Sequence, residues 1–334
     1  MKLFIISDDT RVTQETLFLN TISKFNNLDI VYCALAKRND IDRGKYKNIE
    51  LLDKNTIVKR LMLEKWTNIV FFNYYWNLNN FNFEWYKLNI FWHYAFYKKR
   101  INFIWLKEIN FFNFYRTKIS REKIVYLFNK VKINYISDIN YPSSINYKTS
   151  RGRIYDFNYD ILIPLWALID FDILYKVVKN FKKLNFHVLP INHPHFDSDI
   201  LVKKELYKFL LLIKWFKNVS FWNLTNYNEY SKKIISSKLI LLPIKEHEHD
   251  LTRISDSLAL GKICITNKQG CNNHIEWLHF FEWYSDLEEI INNLLINKTY
   301  IDKDYYNNII EIYDKNHSIE KLTLDLYKFL INEE

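Results

Sequence analysis

The stretch from Leu239 to Cys271 holds the densest set of side chains able to do chemistry: Lys245, Glu248, Thr252, Arg253 and Asp256, with Gly261 and the apolar run Ile263 to Ile265 behind them. Apolar run, polar loop, amphipathic segment and second apolar run spell strand, loop, helix, strand. In an open α/β sheet, loops beyond the carboxyl ends of strands face the ligand. Arg253 and Asp256, three positions apart, share one face of the helix. A helix N-terminus there offers free N–H groups to a phosphate, Arg253 adds a two-pronged donor, and Asp256 can accept from two ribose hydroxyls. That chemistry suits a nucleoside diphosphate. The competing reading is a plain surface helix with an intrahelical ion pair, worth about 0.2–0.5 kcal/mol.

Other clusters are weaker. His247 and His249, two apart within Glu246 to Asp250, lack the helical i, i+4 spacing of a zinc site, so no metal is assigned. Asn192, His193 and His195 follow a strand and could reach a phosphate or sugar, although a capping or turn role fits them better. Tyr97 to Arg100, with Tyr115, Arg116 and Lys118, interleave cations and aromatics that could track a nucleic-acid backbone. The 4 glycines, Gly44, Gly152, Gly261 and Gly270, are too scattered for a dinucleotide fingerprint or a P-loop. Cys33, Cys264 and Cys271 fit no metal spacing and no disulfide framework, which suggests a reducing, cytoplasmic setting. No apolar run approaches the roughly 18 residues of a membrane span. A net charge of +9 favours an anionic partner: nucleotide, nucleic acid or lipid headgroup.

Positioning such groups takes a sheet. In the first part, strands are expected at Leu3 to Ile6, Leu28 to Ala34, Asn68 to Phe72, Ile101 to Leu106 and Ile133 to Ser137. Helices are expected at Thr13 to Phe25, Val58 to Lys65, Glu84 to Tyr97 and Arg121 to Lys130. Residues 141–159 show no sustained period and read as an interdomain connection. Beyond them, strands are expected at Asp160 to Leu165, His187 to Ile191, Val219 to Trp222, Leu239 to Pro243 and Ile263 to Thr266. The helices between and after them are Asp172 to Leu184, Leu201 to Phe216, Tyr227 to Ser237, Thr252 to Leu260, Asn273 to His279 and Asp286 to Leu294, with two more over 302–330. The fold class is therefore α/β, two Rossmann-like doubly wound domains. The domain limits are 1–150, 151–310, and a C-terminal helix within 311–334 packing back on the N-terminal domain.

Glu248 and Asp256 are eight apart and lead into Ala259, Gly261 and Ile263-Cys-Ile, a pattern that resembles the carboxyl-terminal signature of two-lobed (GT-B) glycosyltransferases. A closer resemblance is to phage DNA β-glucosyltransferases. Thr13-Gln-Glu-Thr resembles that family's Ser-Glu-Thr helix and sets Glu15 on its cleft-facing Glu. Tyr97 to Ile109 resembles the strand ending in its catalytic Asp, which puts Glu108 next to that position. Thr252-Arg253-Ile-Ser-Asp256 is similar to its Arg-x-x-Glu nucleotide clamp. The family's Gly- and Arg-rich pyrophosphate loop is replaced by Pro164 to Asp170.

The resemblance implies two domains facing across a cleft and transfer of a sugar from a UDP-sugar to a hydroxyl, most simply a hydroxymethylated base in double-stranded DNA. It assigns Glu108 and Glu15 to catalysis, and Arg253, Asp256, Glu248, Lys245, Thr252, Asn223 and Gly270 to the nucleotide sugar. No cofactor is needed for the chemistry, with a divalent cation at most aiding product release. Glu108 would take the acceptor proton, with Glu15, Asp8 and Asp9 competing. A bacterial surface-polysaccharide glycosyltransferase working at a membrane face, and a non-catalytic nucleotide- or DNA-binding protein, are the alternatives.

Overall fold

The computed structural model describes residues 2–7, 19–34, 49–63, 68–72, 87–92, 108–114, 132–139, 143, 147–152, 157–165, 169–190, 200–221, 227–244, 251–267 and 278–332. Contacts divide the chain into Met1–Tyr141 with Ile319–Glu334, and Pro142–Ser318. The sequence reading set its limits at 150 and 311.

The first unit contains strands β1 (Lys2–Ser7), β2 (Asp29–Ala34), β3 (Ile49–Asp53), β4 (Asn68–Phe72), β5 (Lys87–Trp92), β6 (Glu108–Phe114) and β7 (Lys132–Ile139), with helix α1 (Lys54–Leu63) after β3. All pair in parallel in the order β3-β2-β1-β4-β5-β6-β7. This is the Rossmann order with one strand added. Ile5 of β1 lies between Tyr32 and Val70 of its two neighbours.

One expectation fails here, and one strand was not foreseen. Residues 87–92 form β5, where a helix over 84–97 was expected. In Lys87-Leu-Asn-Ile-Phe-Trp, apolar residues stand at positions that satisfy both the helical and the strand period, and the aromatic and β-branched content decides for strand. Strand β6 starts at Glu108, and the strand expected at Ile101 to Leu106 lies outside the described residues. Strand β3 was not foreseen because it runs into α1 without a turn residue and reads as that helix's first turn.

The second unit alternates strand and helix: β8 (Tyr159–Leu165), α2 (Phe171–Asn180), β9 (Phe186–Pro190), α3 (Ile200–Ile213), β10 (Val219–Phe221), α4 (Tyr227–Ile235), β11 (Ser237–Leu242), α5 (Leu251–Ala259), β12 (Ile263–Asn267) and β13 (His279–Phe281). Helices α6 (Tyr284–Ile296) and α7 (Lys303–Asn316) follow. Its strands are also parallel, in the order β10-β9-β8-β11-β12-β13. Most of the helix expected at Asn273 to His279 lies outside the described residues; its last residue, His279, opens β13, and three residues are too short a run to show a period. Ile161 to Ile163, Leu239 to Leu242 and Ile263 to Ile265 are all buried. Unbroken apolar runs of this kind mark central strands covered on both faces. Helix α2 buries Phe171, Leu174, Val177 and Val178 at helical spacing, each contributing roughly 1.5–3 kcal/mol relative to exposure.

Helix α8 (Ile319–Asn332) returns to the first unit. Tyr327 stacks on Phe25 with ring centroids 4.0 Å apart and 7° between planes, and its hydroxyl accepts from the Asn27 amide at 2.8 Å.

Candidate nucleotide site

In the second unit, β8 and β11 are adjacent central strands from which the chain winds in opposite directions, so the crevice at their carboxyl ends is the topological switch point. That edge is tied together tightly. Ile169 bridges Ile244, and the Asp170 N–H donates to the Pro243 carbonyl at 2.8 Å. The Asn267 side chain grips Ile244 twice, accepting from its N–H at 2.6 Å and donating to its carbonyl. Thr266 donates to the Leu242 carbonyl at 2.7 Å. The loop exits from three neighbouring strands are thereby fixed.

Two helices, α2 and α5, start beyond this edge. The N-terminus of α2 is filled by the chain itself: the Asp170 carboxylate accepts from the Asp172 and Ile173 N–H groups at 3.1 and 3.0 Å. Those are the donors a Rossmann helix presents to a phosphate, and a resident carboxylate also repels one. The replaced Gly/Arg loop therefore ends in a built-in anion. An Asp immediately ahead of an amphipathic run is a cap signal, and it was readable.

On α5 the Arg253 Nη1 lies 3.3 Å from Asp256 Oδ2, so the predicted shared face exists. It is not a surface pair. Arg253 is 5% exposed with its guanidinium 4.8 Å from the centre of the Tyr230 ring, and Asp256 is 0% exposed. The second Asp256 oxygen accepts from the Ser143 hydroxyl at 2.7 Å. The Asp256 carboxylate thus has no accessible surface, and its two oxygens meet Arg253 and Ser143 inside the protein.

Ser143 belongs to a segment read from the sequence only as a connection. Its N–H donates to the Tyr313 hydroxyl at 2.9 Å. Further along, Arg151 donates to the Ala259 carbonyl at 2.6 Å, pairs in two-pronged fashion with Asp314 at 2.8 and 2.9 Å, and lies 4.4 Å over the Tyr147 ring. Gly152, at φ 72°, donates to the Tyr306 hydroxyl at 3.1 Å. The segment therefore binds the back of α5 to α7.

Of the other candidates, Glu15, Asn223, Lys245, Glu248 and Gly270 lie outside the described residues, as do Asp8, Asp9, His193, His195 and Glu246 to Asp250. Thr252 is in the first turn of α5. Glu108 stands first in β6, at its amino end. The strand expected just before it, Ile101 to Leu106, lies outside the described residues, so the catalytic role expected of Glu108 rests on the resemblance. Among the described residues no group of three His, Cys, Asp or Glu is arranged to hold a metal ion.

The strongly shifted ionisable groups are structural. Burial lowers the Lys262 ammonium to about 7 as it donates to the Ser237 carbonyl at 3.1 Å. Burial, helped by Lys233, lowers His187 to about 4, where its Nδ1 meets the Ser220 hydroxyl at 2.7 Å.

The two Rossmann-order units have the fold of the GT-B glycosyltransferases. The chain is similar in structure to the trehalose-6-phosphate phosphatase N-terminal domain of Candida albicans (TM-score 0.67, 7% identity, covering 99% of this chain and 96% of that one). It is likewise similar to Anabaena HepE, solved with UDP and glucose (TM-score 0.65, 9% identity, 99% and 100% covered). A glycosyltransferase from Rickettsia africae superposes at TM-score 0.62 with 12% identity, covering 100% and 99%. No family model and no curated protein matches the sequence.

Proposed function

We propose that the protein transfers a glycosyl group from a UDP-sugar to a hydroxyl acceptor. The observation that carries this is at the switch point, where Asp170 caps α2 after β8 and α5 begins after the adjacent strand β11. Support comes from the fold shared with HepE, a protein solved with UDP and glucose. The diphosphate sits on the first-turn N–H groups of α5, reached also by Lys245 from the preceding loop. Arg253, in the same first turn, is buried and paired with Asp256. Glu248, Asn223 and Gly270 remain assigned to the donor by resemblance.

In the transfer, a carboxylate takes the proton of the acceptor hydroxyl as its oxygen bonds to the anomeric carbon. The bond from that carbon to the diphosphate oxygen breaks, and UDP leaves with its charge met by the helix N-terminus. Glu15 is assigned as the base, since it follows the carboxyl end of β1, with Asp8 and Asp9 directly beyond that strand. A hydroxymethylated base in DNA is one acceptor that the +9 charge favours, and a glycan hydroxyl is the other. Incubating UDP-glucose with hydroxymethylated duplex or with a membrane glycan fraction and following UDP release decides between them. If neither releases UDP while UDP still binds, the protein binds without catalysing.

Calorimetric titration with UDP tests the site itself. Wild type is expected to bind, and Lys245→Ala to weaken binding about tenfold, the loss of one charge-assisted contact. A folded wild-type protein that binds neither UDP nor another nucleotide overturns the proposal.

A further inference from the structure

Five of the eleven exposed large apolar side chains among the described residues lie between 207 and 221. Tyr207, Leu211 and Trp215 are 56%, 58% and 81% exposed, at spacings of four, with Leu212 beside them at 46%. The opposite side of α3 is the buried one, through Leu206, Phe209 and Ile213. Lys204 and Lys208 fall on the exposed face within the same turns, and Lys214 and Lys217 continue it past the helix end. The Lys214 ammonium lies 4.8 Å from the centre of the Trp215 ring.

The neighbouring helix extends the charge. Helices α2 and α3 pack through Phe171 on Phe209, with centroids 5.3 Å apart, and through Tyr175 on Phe216 at 6.2 Å. Exposed Lys176, Lys179, Lys182 and Lys183 lie on and just after α2. Against eight lysines, these two helices expose only Asp172 and Glu205 as acids.

We propose that the α2–α3 face docks on an anionic lipid surface, with Leu211, Leu212 and Trp215 entering the headgroup boundary and the lysines meeting lipid phosphates. An aliphatic and tryptophan ridge flanked by lysines is the pattern of an interfacial helix. Lysine stems can lie along the apolar ridge while their ammonium groups reach outward. Charge argues against a second copy as occupant, because a two-fold interface would set the eight lysines against their own equivalents. Duplex DNA would satisfy the lysines but has no apolar surface for Leu211 and Leu212. No described helix is long and apolar enough to cross a membrane. The proposal is independent of which donor or acceptor is used.

Co-sedimentation with phosphatidylcholine vesicles, with and without phosphatidylglycerol, tests it. Binding is expected to rise with phosphatidylglycerol and fall with salt. Leu211→Ser with Trp215→Ser is expected to cut partitioning at least about tenfold, from lost apolar burial. Lys204→Glu with Lys208→Glu is expected to remove the dependence on phosphatidylglycerol. Both variants change exposed side chains and should bind UDP as wild type does, so failure here and failure of the nucleotide site are distinguishable. The proposal is overturned if wild type ignores anionic vesicles, or if the Leu211/Trp215 variant binds them equally. It is also overturned if light scattering shows a dimer that this variant dissolves, or if duplex DNA is bound through this face and vesicles are not.

Discussion

Removing one member of the Arg253–Asp256 pair strands the other charge in a buried site, which is why such pairs behave unlike those on a surface. Asp256→Ala is expected to cost about 3–5 kcal/mol. Ser143→Ala removes a single hydroxyl donor to a carboxylate and should cost about 1.5–3 kcal/mol. Urea unfolding of the two variants checks the order, and equal losses would place the energy elsewhere. The helical offset of Arg253 and Asp256 was readable from the sequence, because three positions on one helix is a local fact. That Ser143, far back along the chain, takes the other carboxylate oxygen is a tertiary fact with no periodic signal. The same distinction applies to Asp170, whose cap is local and legible, and to Arg151, whose partners Ala259 and Asp314 are distant.

The turn from α5 to β12 depends on Gly261, which sits at φ 66° with the Tyr306 ring against the place a Cβ would occupy. Gly261→Ala therefore brings backbone strain and a steric conflict together, and is expected to cost about 2–4 kcal/mol. Gly152, at φ 72°, has nothing within 4 Å of a Cβ, so alanine there should cost only the strain, about 1–2 kcal/mol. Thermal unfolding of the pair separates the two contributions. Strands β8, β11 and β12 were legible because buried parallel strands are written as continuous apolar runs. Strands β3, β5 and β13 were not: one abuts a helix, one carries an ambiguous aromatic pattern, and one has three residues.

Stability against pH belongs to the molecule. His187 and His317 are both held near 4 by burial, below the ordinary 6.5. An unfolded chain takes up these protons as pH drops below 6.5 while the folded one resists, so stability is present above 6.5 and lost on descending towards 4. Lys262, near 7 when folded and 10.5 otherwise, acts in the same direction at higher pH: stability rises from about 7 to 10.5. Urea titrations at several pH values should show both ranges, with His317→Leu flattening the acidic one and Lys262→Met the alkaline one. Two units make separate transitions possible, so each is best followed by hydrogen exchange.

The Tyr327–Phe25 stack has a consequence for biosynthesis. A ribosome releases the first seven strands long before it makes the helix that covers Phe25, and the whole second unit is translated in between. At about 5–20 residues per second that delay lasts on the order of ten seconds. During it the amino-terminal unit waits without its last helix, with an aromatic ring open to chaperones, while the later-made unit has every residue it needs to finish first.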